Sequence, residues 1–171
     1  MSPRVVLVGP MGAGKTTVAA LLAEAWGVAA RDTDADVEAA EGRTISDIFV
    51  DSGEARFREL ERAAVSDALA EHHGVLALGG GAVLDPVTRD LLHGHPVVFL
   101  RVGLSDAVKR VGLGSARPLL LGNVRGRIKA LLDERTPIYE QVATHTVDTD
   151  GRTPEDVALE VRELMGEAAH E

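Results

Sequence analysis

The stretch Gly9-Pro10-Met11-Gly12-Ala13-Gly14-Lys15-Thr16 carries the plainest chemistry in this chain. Its glycines let the backbone curl tightly, so that successive amides point inward at an anion rather than at other peptide groups. An apolar run, Val5 to Val8, leads into it, and Val18, Leu21, Leu22 and Ala25 recur behind it at helical spacing up to Gly27. A strand that runs into a glycine turn and opens a helix is the setting of a P-loop. There the helix dipole favours negative charge, Lys15 reaches the β- and γ-phosphates of a nucleotide, and the Thr16 hydroxyl ligates Mg²⁺. An accidental glycine-rich helix entry is the alternative. Lysine, however, occurs only at 15, 109 and 129, against fifteen arginines. That scarcity gives weight to Lys15 and takes weight from any single arginine.

In open α/β sheets, ligands gather beyond the carboxyl ends of the strands, so the residues that follow the other strands belong to the same crevice. After the second apolar run stands Asp32-Thr33-Asp34. Asp32 could hold Mg²⁺ through water and Asp34 could grip or deprotonate an acceptor hydroxyl; the bland alternative is a helix cap. After the third stands Gly79-Gly80-Gly81, which suits close approach of backbone to a ligand, or else a plain turn. Arg58, near two glutamates on a helix, reads by itself as a solvated surface pair. Arg117, in a glycine-rich stretch, and Arg135, near a helix end, are ambiguous from composition. The six histidines have no metal-ligand spacing, and Trp26 and Tyr139 read as core or boundary residues.

The elements that must position these groups alternate along the chain. Strands are expected at Arg4–Val8, Val28–Arg31, Val75–Leu78, Val97–Val102 and Thr144–Val147. Helices are expected at Gly14–Trp26, Thr33–Glu41, Thr44–Val50, Ser52–Glu71, Pro86–Leu92, Ser105 (as cap) to Val111, Val124–Gln141 and Pro154–Glu167. The stretch Gly112–Asn123, with three glycines and a proline, reads as a mobile loop. Such alternation argues a parallel sheet covered on both faces, in one domain spanning 1–171. The net charge of −9 argues against nucleic acid, no run is long enough for a membrane span, and the absence of cysteine excludes disulfides. A cytoplasmic protein is expected.

Taken in order, Gly9–Thr17, Asp32-Thr33-Asp34, Phe57-Arg58-x-x-Glu61, Leu78-Gly79-Gly80-Gly81, Arg117-Pro118-Leu119-Leu120 and Arg135-x-Pro137-x-Tyr139 resemble shikimate kinase. The resemblance covers nearly the whole chain and is loosest over the last thirty or so residues. It implies a three-layer α/β/α fold like that of nucleoside monophosphate kinases, with a five-stranded parallel sheet in order 2-3-1-4-5. A substrate-binding insertion would span about 33–61 and a lid about 112–123. The co-substrate would be ATP with Mg²⁺, the acceptor shikimate, and the protein a monomer. The resemblance implies nucleotide contacts at Gly12, Ala13, Gly14, Lys15, Thr16, Thr17 and Arg117, with Arg110, Arg152 and Pro154 near the adenine. It places the acceptor at Asp34, Arg58, Gly79, Gly80, Gly81 and Arg135, the metal at Thr16 and Asp32, and catalysis at Lys15, Asp34 and Arg117. A gluconate-type or nucleotide kinase, or a non-catalytic nucleotide-binding module, is the alternative.

Overall fold

An apolar run without polar alternation belongs in a sheet covered on both faces, and β1 (Val5–Val8) is buried at every residue. In the computed structural model, which describes residues 2–113 and 124–166, β1 lies between β3 (Val75–Ala77) and β4 (Val97–Arg101). The edges are β2 (Ala30–Asp32) and β5 (His145–Asp148). The order is β2-β3-β1-β4-β5 and every neighbouring pair is parallel, as expected.

Successive side chains of a strand point to opposite faces, and the core divides accordingly. Val5, Leu7, Val98 and Leu100 pack on Val18 and Leu22 of α1 (Lys15–Trp26) and on Val157 and Val161 of α7 (Pro154–Leu164). Val6, Val8, Leu76 and Phe99 pack on Val65 and Leu69 of α3 (Ile45–Glu71) and on Tyr139 of α6 (Val124–Val142). The short α4 (Pro86–Leu91) completes that layer and starts with proline at its first position, where a missing amide costs nothing. Each fully buried Val, Leu or Phe contributes about 1.5–3 kcal/mol. The central strands, apolar toward both layers, are therefore a rigid base for the loops at their carboxyl ends.

The segment between β2 and β3 has a small core of its own. Val37 of α2 (Thr33–Glu41) meets Ile48 and Phe57 of α3. Two helices, Thr44–Val50 and Ser52–Glu71, were expected here, and α3 is two helical stretches that meet at a kink, which falls at Gly53 rather than at Asp51. Gly53, at φ 85° and ψ 167°, interrupts the helical geometry in a region that glycine adopts without a Cβ clash.

Smaller boundaries also move. Helix α5 (Leu104–Leu113) begins before Ser105 because the Gly103 carbonyl accepts from the Ala107 amide. Ser105 thus lies in the first turn and does not cap. Gly112 and Leu113 finish α5, and the rest of the expected lid, 114–123 with Arg117, lies outside the described residues. Helix α7 stops at Leu164, and Gly166 turns with φ 83° shortly after.

Candidate active site

Helices α2, α3, α4 and α7 open on capping side chains: Asp32, Thr44, Asp85 and Thr153 each accept from a first-turn amide. Helix α1 opens on Gly14, in left-handed geometry at φ 92°, with no side-chain cap. Its first-turn amides are left to whatever occupies the loop, which is the requirement for holding phosphate. The Lys15 ammonium donates to the carbonyls of Gly9 at 2.6 Å and Pro10 at 3.0 Å, curled back over the same loop. Burial pushes its pKa down to about 8, against the opposing pull of Asp34 and Asp32. A cation that has lost much of its water and has only partial compensation is primed to gain from an arriving anion.

The two neighbouring strand ends supply the opposite wall. Asp32 ends β2 and caps α2, its Oδ1 accepting from the Asp34 amide at 2.8 Å. The capping alternative is thus realised for Asp32, whose carboxylate nonetheless lines the cavity. Asp34 is held above the ordinary carboxylate range by burial and by the charge of Asp32, with Lys15 pulling the other way. Thr33, fully buried, accepts from the Gly79 amide through its Oγ1 at 3.3 Å and so ties the ends of β2 and β3 together.

The three glycines after β3 have distinct neighbours. A Cβ at Gly79 would overlap the Asp34 carboxylate, and one at Gly81 would lie 2.6 Å from Arg58 Nη2. These are positions where backbone must come close to a charged side chain. Arg58 is not a solvated surface arginine: its Nη1 donates at 2.6 Å to Glu61, which is only 2% exposed. Glu61 is shifted up by its burial and held down by Arg58. Arg135, on α6, reaches the same crevice, and its buried Nε has no hydrogen-bond partner among the described residues.

One cavity of about 410 Å³ is lined by Gly12, Gly14, Lys15, Thr16 and Thr17 on one side and by Asp32, Asp34, Gly79, Gly80, Gly81 and Arg135 on the other. Arg58 stands behind Gly81 rather than in that lining. A separate slot of about 220 Å³ opens on the other flank of the loop, between Gly12, Ala13 and Thr17 and the side chains of Arg110, Arg152 and Pro154. Arg110 donates to the Gly12 carbonyl at 2.9 Å and to both Thr149 Oγ1 and the Thr149 carbonyl. Arg152 is tied to Glu160 at 2.6 Å and to the Asp148 carbonyl. The slot thus presents guanidinium groups whose donors are largely committed to protein, an arrangement suited to stacking on a flat base.

Of the residues given a site role from the sequence, Arg117 falls outside the described residues, with the rest of its motif. Thr149, which holds Arg110 through its Oγ1 and its carbonyl, carries no signal in the sequence. Thr33, Glu61 and Tyr139 stand inside the motifs of the resemblance, but nothing beyond that resemblance gave them a role. Glu61 follows Arg58 by three residues, which places both on one helix face.

The chain matches the family model described as shikimate kinase over residues 11–165. It is 62% identical over 165 residues to a shikimate kinase of Salinispora arenicola (strain CNS-205), with 96% of this chain and 99% of that one covered. The solved structure of shikimate kinase from Acinetobacter baumannii in complex with shikimate is similar at a TM-score of 0.88 and 34% identity, covering 98% of this chain and 94% of that chain. A gluconokinase from Sinorhizobium meliloti 1021 is similar at a TM-score of 0.60 over 97% of this chain and 93% of that one; its 22% identity speaks for a shared fold alone. A match that runs from the phosphate loop into the last helix, at this identity and over this length, means that the chain belongs to the shikimate kinase family.

Proposed function

We propose that this chain transfers the γ-phosphoryl group of ATP to the 3-hydroxyl of shikimate, using the residues gathered in the cavity at the phosphate loop. The observation that carries this reading is Arg135. A buried guanidinium nitrogen without a partner is costly unless a ligand completes it, and a carboxylate is the group whose geometry an arginine fork matches. Arg135 lines the cavity that also holds Lys15 and Asp34, with Arg58 behind its glycine wall.

The roles follow from position. The open amides of α1 and the Lys15 ammonium hold the nucleotide's terminal phosphates, while the slot at Arg110, Arg152 and Pro154 takes its base. Arg58 and Arg135 hold the carboxylate of the acceptor, and the Gly79–Gly81 backbone gives it a wall without side chains. Asp34 holds the 3-hydroxyl. As the hydroxyl oxygen bonds to the γ-phosphorus, its proton passes to Asp34, and the bond to the β–γ bridging oxygen breaks with its electron pair leaving on ADP. Lys15 and Arg117 balance the charge that gathers on the transferring group. The Thr16 hydroxyl and the Asp32 carboxylate are hard oxygen donors lining the same cavity from its two sides, which fits Mg²⁺. Thr16 would bind the ion directly and Asp32 through water, and the ion would supply neutralisation of the phosphate charge. Closure of the 112–123 lid would exclude water as a competing acceptor.

The net charge of −9 disfavours nucleic acid, and no helix among the described residues is long and apolar enough to cross a membrane. We take the chain to act as a cytoplasmic monomer on two small molecules. ADP release measured with shikimate, gluconate and AMP as separate acceptors tests the assignment. Release that depends on shikimate is expected. Release with gluconate or AMP but not shikimate, or with none of the three, would overturn it.

A further inference from the structure

Tyr139 is fully buried and does not line the cavity, yet its hydroxyl donates to the Gly80 carbonyl at 2.5 Å. Its ring stacks on Phe99 of the central β4, with centroids 4.9 Å apart and planes at 29°. The ring thereby fixes α6 against the sheet. The hydroxyl does something else: it joins α6 to the middle of the glycine wall. Arg135 lies one helical turn earlier on the same face of α6. Burial keeps the phenol above its usual range, with Arg135 and Arg58 as the opposing charges near it, so it is a donor at neutral pH.

The three glycines have three different supports. Gly79 rests against Asp34 and Gly81 against Arg58, both charged side chains of the site. Gly80 has neither. A Cβ there would find Met11 N at 3.5 Å, the Gly9 carbonyl at 3.7 Å and the Tyr139 hydroxyl at 3.9 Å. With the Gly80 carbonyl drawn toward α6, the Gly80 amide is left without a bond among the described residues. A glycine peptide has wide conformational freedom and would otherwise rotate at little cost.

We propose that Tyr139 is a positioning residue for the acceptor: its bond to the Gly80 carbonyl sets the glycine wall and Arg135 at the spacing in which both meet one carboxylate. This rests on the acceptor reading given above. It separates the phenol ring, which serves the core, from the phenol hydroxyl, which serves the site.

Tyr139→Phe removes the hydroxyl and keeps the stacked ring. Initial rates of ADP release with shikimate and ATP varied in turn, together with thermal melts, test the proposal. The expected result is a shikimate KM raised about tenfold, an ATP KM within about twofold of wild type, and a small change in Tm. Phe99→Leu serves as the contrast: it damages the same stack, and is expected to lower Tm without separating the two KM values. An unchanged shikimate KM in Tyr139→Phe, an equal rise in both KM values, or a variant that does not fold would each overturn the proposal, the last because the hydroxyl would then belong to the core. Failure of the wild type to turn over shikimate in the same assay would instead overturn the assigned acceptor.

Discussion

Replacing Lys15 by methionine is expected to abolish turnover and, at neutral pH, to spare the protein an electrostatic cost. The ammonium is held at about 8 in the folded chain, against an ordinary value of 10.5. A cationic group whose folded pKa is depressed destabilises the fold wherever it must carry its charge, which here means below about pH 8. That penalty is relieved as pH rises from 8 toward 10.5. The gap corresponds to about 3 kcal/mol at pH 7, an upper bound because the side chain keeps some exposure to the cavity. Methionine removes the charge at similar volume but also loses the bonds to the Gly9 and Pro10 carbonyls, worth about 1.5–3 kcal/mol for a charged donor. The two effects nearly cancel at pH 7. Between pH 7 and 9.5 the wild type alone recovers roughly 2 kcal/mol, so its Tm should gain on that of the variant by about 4–8 °C for a chain of this size. Paired thermal melts across that range measure the gap. Parallel curves would refute the claim that Lys15 pays a burial cost in order to hold phosphate, and residual turnover would refute its role in the reaction.

Other parts of the site are tested by simpler changes. Arg58→Ala should raise the shikimate KM at least tenfold with little change for ATP, and should destabilise the fold because it strands the buried Glu61. Adding Glu61→Gln should restore Tm but not the KM; recovery of both in steady-state rates would make Arg58 a structural residue only. With Asp34 proposed as the proton acceptor and its pKa raised, kcat/KM for shikimate should fall as pH drops through a midpoint above that of an ordinary aspartate. Asp34→Asn should lose turnover at every pH, and an activity profile flat to acid would contradict proton acceptance there. Arg110→Ala removes the tie between the Gly12 and Thr149 carbonyls and should raise the ATP KM several-fold while leaving that for shikimate unchanged; a selective effect on shikimate would contradict the slot's assignment to the base.

The phosphate loop was legible in the chain because its work is done by backbone amides, and the conformation that exposes them is set locally by glycine at 12 and 14 and by the absence of a capping side chain before α1. The sheet was legible for a related reason: runs such as Val5–Val8 and Val97–Leu100, apolar toward both faces, have few other ways to be buried. Helix boundaries moved by a residue or two, as where the Ala107 amide donates to the Gly103 carbonyl and α5 starts before Ser105. The division of α3 into two helices was legible too, with the kink at Gly53 a residue or two beyond the expected boundary.

Local pattern could not tell what Arg58 and Tyr139 do. An arginine three residues before a glutamate has one spacing whether the pair lies in water or in protein; only the folded chain buries Glu61 and brings Arg58 against Gly81. Likewise nothing between residues 80 and 139 announces that a phenol will find one particular carbonyl. Glycine conformation and strand burial act over a few residues and are written in the chain itself. Desolvation and hydrogen bonds across 59 positions exist only once the layers have closed.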